Sequence, residues 1–141
     1  MSFSLIIGAW LLTFGICLLA WTKGGAAERQ GALLVLAISV LTALAVLLPT
    51  EDLRRPCYLI LDGLLGLGLL RLALRHTSAW LGLAMLLQAA QFSLHAYYLV
   101  ADKRYGALYA TVNNVVTFGV LACLLTGTLL AWRRRRRGAP A

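Results

Sequence analysis

Five long runs of apolar residues, separated by short polar segments, constrain this chain more than any other feature. Each run holds 18 or more residues, and an α-helix needs about 20 to cross a hydrocarbon core of roughly 30 Å. Because lipid offers the backbone no water, runs of this kind must satisfy their own N–H and C=O groups as helices. The sequence therefore predicts five transmembrane helices, with approximate bounds 3–21, 32–49, 56–74, 79–100 and 107–132.

The composition also indicates an integral membrane protein. Of the 141 residues, 61% are hydrophobic and 13% are charged, whereas soluble domains carry about 25% charged residues. The third run holds Asp62 and Arg71, but its nine leucines favour insertion. We predict an all-α fold, in which residues 1–132 form one bundle of five transmembrane helices with short loops and residues 133–141 form a basic tail.

The distribution of positive charge predicts the orientation of this bundle. If the helices alternate in direction, four of the 13 Lys and Arg residues lie on the side of the N-terminus and nine on the other side. Cytoplasmic loops carry the excess of positive charge, so the N-terminus is predicted outside and the C-terminus in the cytoplasm. The positions of the tyrosines and tryptophans agree with this orientation, because membrane interfaces favour their amphipathic rings. All five tyrosines fall in the outer half, and the residues predicted at the inner interface are Trp21, Trp80 and Trp132.

The basic tail is a run of five consecutive arginines, Arg133, Arg134, Arg135, Arg136 and Arg137. Directly after a span, each arginine gains about 1 kcal/mol from anionic lipid headgroups. The tail is predicted to fix orientation and to contact these headgroups, with an acidic partner surface as the alternative. A nucleic-acid partner is not predicted, because binding of single strands also requires aromatic platforms for the bases.

A second anomaly is a set of polar residues inside the predicted helices. The side chains of Gln88, Gln91, His95 and Tyr98 share one helix face by their spacing. Polar groups in a membrane helix normally face inward and meet partners. They either join helices by hydrogen bonds or line an outer-half pocket for a proton, an ion, a quinone head or a small polar ligand. We name this set the polar seam: Asp62, Gln88, Gln91, His95, Tyr98, Tyr109, Asn113 and Asn114.

Three members of the polar seam are predicted to lie at the same depth. Counted from the outer ends of their spans, Asp62, His95 and Asn113 are about 9, 8 and 9 Å deep at about 1.5 Å per residue. We therefore expect Asp62 and His95 to face each other, with Asn113 or Tyr109 completing the hydrogen bonds. The alternative is that Asp62 reaches the outer interface beside Tyr58.

Motifs of catalytic or metal chemistry are missing from the sequence. It contains no zinc His-x-x-x-His pair, nucleophile elbow, Cys-x-x-Cys pair or phosphate loop, so we predict that the protein is not an enzyme. His76 and His95 lie at opposite faces in the predicted topology and cannot hold one haem together. Ligation of a haem or chlorin by His95 alone stays open. No cofactor and no metal is required, and three spans each hold one of the cysteines, Cys17, Cys57 and Cys123.

These patterns predict a small multi-pass protein of a bacterial-type inner (plasma) membrane. Without a catalytic motif or an extramembrane domain, the favoured function is a non-catalytic accessory or structural subunit of a larger membrane complex. The partners are then other membrane subunits and lipid. The alternatives are a small transporter or channel component, or a quinone-, pigment- or haem-associated subunit that uses the polar seam. The apolar segment 81–87 counts against a transport path through the whole membrane.

Overall fold

The computed structural model describes residues 3–138, which form five α-helices joined by short connections. The shortest connection has two residues, Gly24 and Gly25, and the longest is the segment 101–106. The helices are α1 (Phe3–Lys23), α2 (Ala26–Ala45), α3 (Glu51–Arg75), α4 (Ala79–Val100) and α5 (Ala107–Gly138).

The start of α2 differs from the prediction. The segment 22–31 was expected to be a polar loop, but the helix already begins at Ala26 and ends at Ala45. Gly25 has an extended backbone at the N-cap, and its N–H donates to Glu28 Oε2 at 2.8 Å. A glutamate at the third helical position commonly bonds the N-cap N–H in this way and fixes the start of a helix. Glu28 is therefore a helix residue, not a loop residue.

Two other predicted boundaries are also wrong. Helix α3 begins at Glu51, so Pro56 lies inside it and not at its start. Acidic side chains in the first turn stabilise a helix through its dipole, and Glu51 and Asp52 lie in that turn. Helix α5 does not end at Trp132, because it continues unbroken through the arginines to Gly138.

The five helices form a closed ring. Each helix packs against the next in the chain, α1 packs against α5, and α2 also contacts α5 across the ring. Helices α1, α2, α3 and α5 are long and apolar enough to cross a membrane, so the protein is a helical multi-pass membrane protein. Helix α4 holds much of the polar seam and is packed between α3 and α5. A fifth span formed by α4, and the outside position of the N-terminus, stay predictions.

One end of the ring is tightly packed, and we call this end the floor. Leu69, Leu81 and Leu124 are shielded completely there. Trp80 was predicted at the membrane interface, but it is buried and packs where Gly31 of α2 and Gly127 of α5 leave room for its ring. Small residues let side chains or helices approach closely, and these two glycines place a large indole at the centre of the floor.

Glu28 connects the floor to the start of α2. Its Oε1 accepts a hydrogen bond from Trp80 Nε1 at 3.0 Å, and its Oε2 accepts one from the Gly25 N–H. Glu28 is 6% exposed. Nearby, Arg135 donates to the Gly24 carbonyl at 2.8 Å, which ties the arginine segment of α5 to the α1–α2 connection.

We expect Glu28→Ala to lower the free energy of unfolding by about 1–3 kcal/mol, because it leaves a buried indole N–H without an acceptor. Thermal unfolding in one detergent measures the change. Glu28→Gln is the control, since its amide oxygen can still accept from Trp80, and it should lose less. Equal loss in the two variants would mean that the indole hydrogen bond is not what Glu28 contributes.

Candidate functional site

The half of the ring opposite the floor contains a cavity of about 670 Å³, lined by side chains from all five helices. Helices α1 and α2 supply a largely apolar wall that includes Ile6, Ala9, Val35 and Ile38. Helices α3, α4 and α5 supply a polar wall. Seven of the eight residues of the polar seam lie on it, namely Asp62, Gln88, Gln91, His95, Tyr109, Asn113 and Asn114.

Asp62 is the centre of the polar wall. Its Oδ2 contacts His95 Nδ1, and its Oδ1 accepts a hydrogen bond from Gln88 Nε2 at 3.0 Å. On the other side of the imidazole, His95 Nε2 contacts the hydroxyl of Tyr109. The structure thus brings Asp62 and His95 together as expected, and Tyr109, not Asn113, continues the chain of contacts.

The short connections and the helix periodicity explain this meeting. Helices α3 and α4 are joined by only three residues, 76–78, so they run antiparallel side by side and residues near their far ends lie opposite each other. Gln88 and His95 are seven residues apart on α4 and share the face that packs against α3. Both are buried, with His95 only 5% exposed, and the Asp62 side chain is 15% exposed.

One tautomer of His95 suits both of its contacts, with Asp62 and with Tyr109. With its proton on Nδ1, the ring turns an N–H towards the Asp62 carboxylate, which it contacts without hydrogen-bond geometry, while Nε2 accepts from the Tyr109 hydroxyl. The three side chains then carry one net negative charge. No Lys or Arg lines the cavity within the part of the chain that the structure describes, so no basic side chain on the wall neutralises that charge.

A second polar pair lies beside this chain. Gln91 Nε2 donates to Asn113 Oδ1. The other amide atom, Gln91 Oε1, is buried and has no hydrogen-bond partner among residues 3–138. Gln91 is 5% exposed and lines the cavity. A buried acceptor without a partner costs about 1–3 kcal/mol, and protein atoms enclose this oxygen on all sides.

Aromatic rings cover the end of the polar wall. The Tyr105 ring stacks on Tyr109 with centroids 3.9 Å apart, and Tyr109 stacks on His95 at 5.3 Å. Burial raises the pKa of the Tyr105 hydroxyl, which keeps it neutral. Tyr98, the eighth residue of the seam, packs edge-on against Tyr109 at 5.1 Å and does not line the cavity. Its part is to support the tyrosine stack.

Arg55 holds the α4–α5 connection over this stack, a role that the sequence analysis missed. It was expected to be one of the outer loop charges, but it is buried and donates to Asp102 Oδ1 at 3.0 Å. Its guanidinium also lies 3.5 Å from Glu51 and 5.5 Å from the centroid of the Tyr105 ring. The i, i+4 spacing of Glu51 and Arg55 was the available signal, because such pairs interact on one helix.

The arginine segment lies at the other end of the molecule, beside the floor. Arg135 is tied to Gly24, and the Arg136 guanidinium lies 4.3 Å from the centroid of the Trp132 ring. Arg133, Arg134, Arg136 and Arg137 are exposed. The structure therefore keeps these charges away from the polar seam, and their predicted contact with lipid headgroups concerns the opposite end of the bundle.

A haem or chlorin does not fit the arrangement at His95. Both ring nitrogens face protein groups, Nδ1 the Asp62 carboxylate and Nε2 the Tyr109 hydroxyl. Axial ligation would have to break one of these contacts. Within residues 3–138 no three His, Cys, Asp or Glu side chains are grouped so that they could hold a metal ion.

Comparison of the chain with protein-family models, with curated proteins and with solved structures finds no match. The fold and the site define a class only: a helical multi-pass membrane protein with a partly open cavity between its helices.

Proposed function

We propose that this protein is a membrane-embedded binding protein for a small amphipathic molecule. One observation supports this most directly: a single cavity of about 670 Å³ has a hydrogen-bonding wall on one side and an apolar wall on the other. Cavities that bind small molecules commonly measure about 300–1,000 Å³ and combine apolar lining with a few polar groups that orient the ligand.

The two walls suggest how such a molecule lies. Its polar head meets the wall that contains Asp62, His95 and Gln91, and its apolar body packs against Val35 and Ile38 of α2. Interhelical hydrogen bonding does not account for the cavity itself, which the seam residues line together with apolar side chains of α1 and α2. In the predicted topology, with α4 as a fifth span, the head lies in the outer half of the membrane.

A binding role is favoured over an open channel because the floor is closed. Leu69, Leu81 and Leu124 are fully buried between the cavity and the opposite end, and Trp80 packs beside them. A transporter that changes conformation at the floor stays compatible with this arrangement, and ligand binding is its first step.

The accessory-subunit function stays a prediction. Many large apolar side chains on the outer faces are exposed, including Leu11, Leu67, Leu86 and Leu108, but lipid covers such faces as well as a partner subunit does. Gentle solubilisation followed by mass spectrometry separates the two functions. A stoichiometric protein companion would favour the subunit, and a stoichiometric small molecule would favour the binding protein.

We expect Ser39→Phe to lower the affinity for a neutral amphipathic probe at least about 10-fold, because a buried aromatic ring displaces ligand volume worth more than about 1.4 kcal/mol. Ser39 lies on the cavity wall of α2. The probe is an uncharged, environment-sensitive naphthalene dye, titrated by fluorescence against the protein in lipid nanodiscs, with empty nanodiscs subtracted.

Ala37→Phe is the matched control. Ala37 lies on the same helix but is exposed and does not line the cavity, so the same added ring should leave the affinity unchanged. If the dye binds wild type and Ser39→Phe equally well, or fails to bind wild type above the empty nanodisc, the proposed function is wrong.

A further inference from the structure

We propose that the cavity selects lipophilic organic monocations, with the Asp62 carboxylate as the counter-charge. This proposal rests on the proposed function and names the chemical class of its ligand. It is drawn from the charge of the cavity, from the aromatic side chains on its wall and from the free acceptor of Gln91.

The charge of the cavity is the first argument. Asp62 is the acidic residue on the wall, and it is paired with a histidine whose tautomer completes the chain of contacts while neutral. A carboxylate within a membrane-spanning helix is costly unless an opposite charge offsets it. A bound cation supplies that charge, whereas a bound anion adds to the cost.

Charges just outside the wall do not reverse this sign. The nearest basic side chain that the structure ties to the tyrosine stack is Arg55, and it is paired with both Glu51 and Asp102. Arg54 acts electrostatically on Tyr58 of the wall and adds a second positive charge, so the two positive and two negative side chains sum to zero. The arginine segment lies at the opposite end of the bundle, beside the floor.

The aromatic wall is the second argument. Trp10 of α1 and Tyr58 of α3 both line the cavity that Asp62 lines. The faces of tryptophan and tyrosine rings attract organic cations electrostatically, and this attraction grows when the site excludes water. An anion gains nothing from these faces, so the rings and the carboxylate favour the same sign of charge.

The free acceptor is the third argument. Gln91 Oε1 is buried and unpartnered within residues 3–138. Because protein atoms enclose it, this oxygen makes no direct contact with the cation, but it places the negative end of a carbonyl dipole behind the wall. The carboxylate, the rings and this oxygen together make a wall that is complementary to positive charge.

Two probes of the same shape and opposite charge test this proposal: tetraphenylphosphonium and tetraphenylborate. Their affinities are measured by equilibrium dialysis against the protein in nanodiscs of uncharged lipid, with empty nanodiscs subtracted, at about pH 8, where an ordinary histidine is neutral. At about 7 Å and an effective dielectric constant of about 20, one unit charge changes binding on the order of 50-fold. We expect wild type to bind the phosphonium at least about 50-fold more tightly than the borate.

Asp62→Asn removes the charge and keeps the contacts. The Asn oxygen still accepts from Gln88, and the amide N–H donates to His95 Nδ1 once the ring carries its proton on Nε2. This variant should bind the phosphonium about 50-fold more weakly and the borate no more weakly than wild type does. Asp52→Asn is the control: Asp52 is an exposed carboxylate on the same helix, and both affinities should stay unchanged.

Two results would overturn the cation proposal. One is equal or tighter binding of the borate by wild type, and the other is an equal loss of both probes in Asp62→Asn, which indicates damage to the fold. Failure of the proposed function is distinguishable, because it is read from the uncharged dye and Ser39→Phe. If the dye binding depends on Ser39 but the phosphonium is not preferred, the cavity binds ligands and only the cation selectivity is wrong.

Discussion

Asp62→Ala is expected to lower the free energy of unfolding by about 3 kcal/mol, because removing one partner of a buried pair leaves the other polar groups without their contacts. In the wild type, His95 Nδ1 and the Gln88 amide both contact Asp62. The substitution leaves both groups without that partner. His95→Ala should also destabilise the protein, since it leaves the Asp62 carboxylate and the Tyr109 hydroxyl facing an empty volume. Thermal unfolding in a single detergent measures both variants.

The double variant isolates the contact between the two side chains. Partners in one hydrogen-bond network couple by about 0.5–3 kcal/mol, while distant sites add, so Asp62→Ala with His95→Ala should cost less than the sum of the single changes. His76→Ala is the matched control. His76 follows the last residue of α3, 14 residues from Asp62 and about 21 Å away along the helix. If the losses of unfolding free energy from Asp62→Ala and His95→Ala simply add in the double variant, the contact between the two side chains does not stabilise the protein.

The meeting of Asp62 and His95 could be predicted because depth in a membrane helix is a matter of counting. Each predicted span had an outer end, the rise per residue is constant, and helices joined by short connections pack as antiparallel neighbours. An error of a few residues at the end of a span does not change which residues are opposite each other. Counted from the observed start of α3 at Glu51, Asp62 is about 16 Å deep, so the depth value was wrong. The pairing still held because both residues lie at similar distances from the connection 76–78, Asp62 13 residues before Arg75 and His95 16 residues after Ala79.

The floor could not be predicted in the same way. Glu28 was assigned to a loop because Gly24 and Gly25 and the mixed charges around them resemble a turn. In the structure only those two glycines form the turn, and Glu28 lies in the first turn of α2. A buried glutamate is found from sequence only when its partner is known, and the partner, Trp80, is 52 residues away.

Arg55 and Trp80 show that residue type alone does not predict which residues near the membrane surface are buried. Arg55 was counted among the outer loop charges and Trp80 among the rings of the inner interface, because loops favour basic residues and interfaces favour tryptophan. Burial of Arg55 depends on Asp102, whose turn position is set by a left-handed backbone with φ of 46°. Burial of Trp80 depends on glycines of two other helices. Such tertiary contacts leave no periodic signal in the sequence.

The second large effect is expected from Trp80→Ala, which should lower the free energy of unfolding by about 3–5 kcal/mol, the usual cost of truncating a large buried aromatic residue. The indole is 8% exposed, packs against α2 and α5 and donates to Glu28. Its removal leaves a cavity in the floor and an unpaired Glu28 oxygen. Thermal unfolding in the detergent used for the other variants measures this change.

Trp21→Ala is the matched control, because Trp21 is 50% exposed on α1 and the same truncation should cost much less. Trp80→Phe separates packing from hydrogen bonding. It keeps an aromatic ring between Gly31 and Gly127 but has no N–H, so we expect a loss of about 1–3 kcal/mol, smaller than that of alanine. Because Glu28 and Trp80 share one hydrogen bond, Glu28→Ala should cost less in a Trp80→Phe background than in wild type. If Trp80→Ala were no more harmful than Trp21→Ala, the floor would not depend on this indole, and the closed end of the cavity would need another explanation.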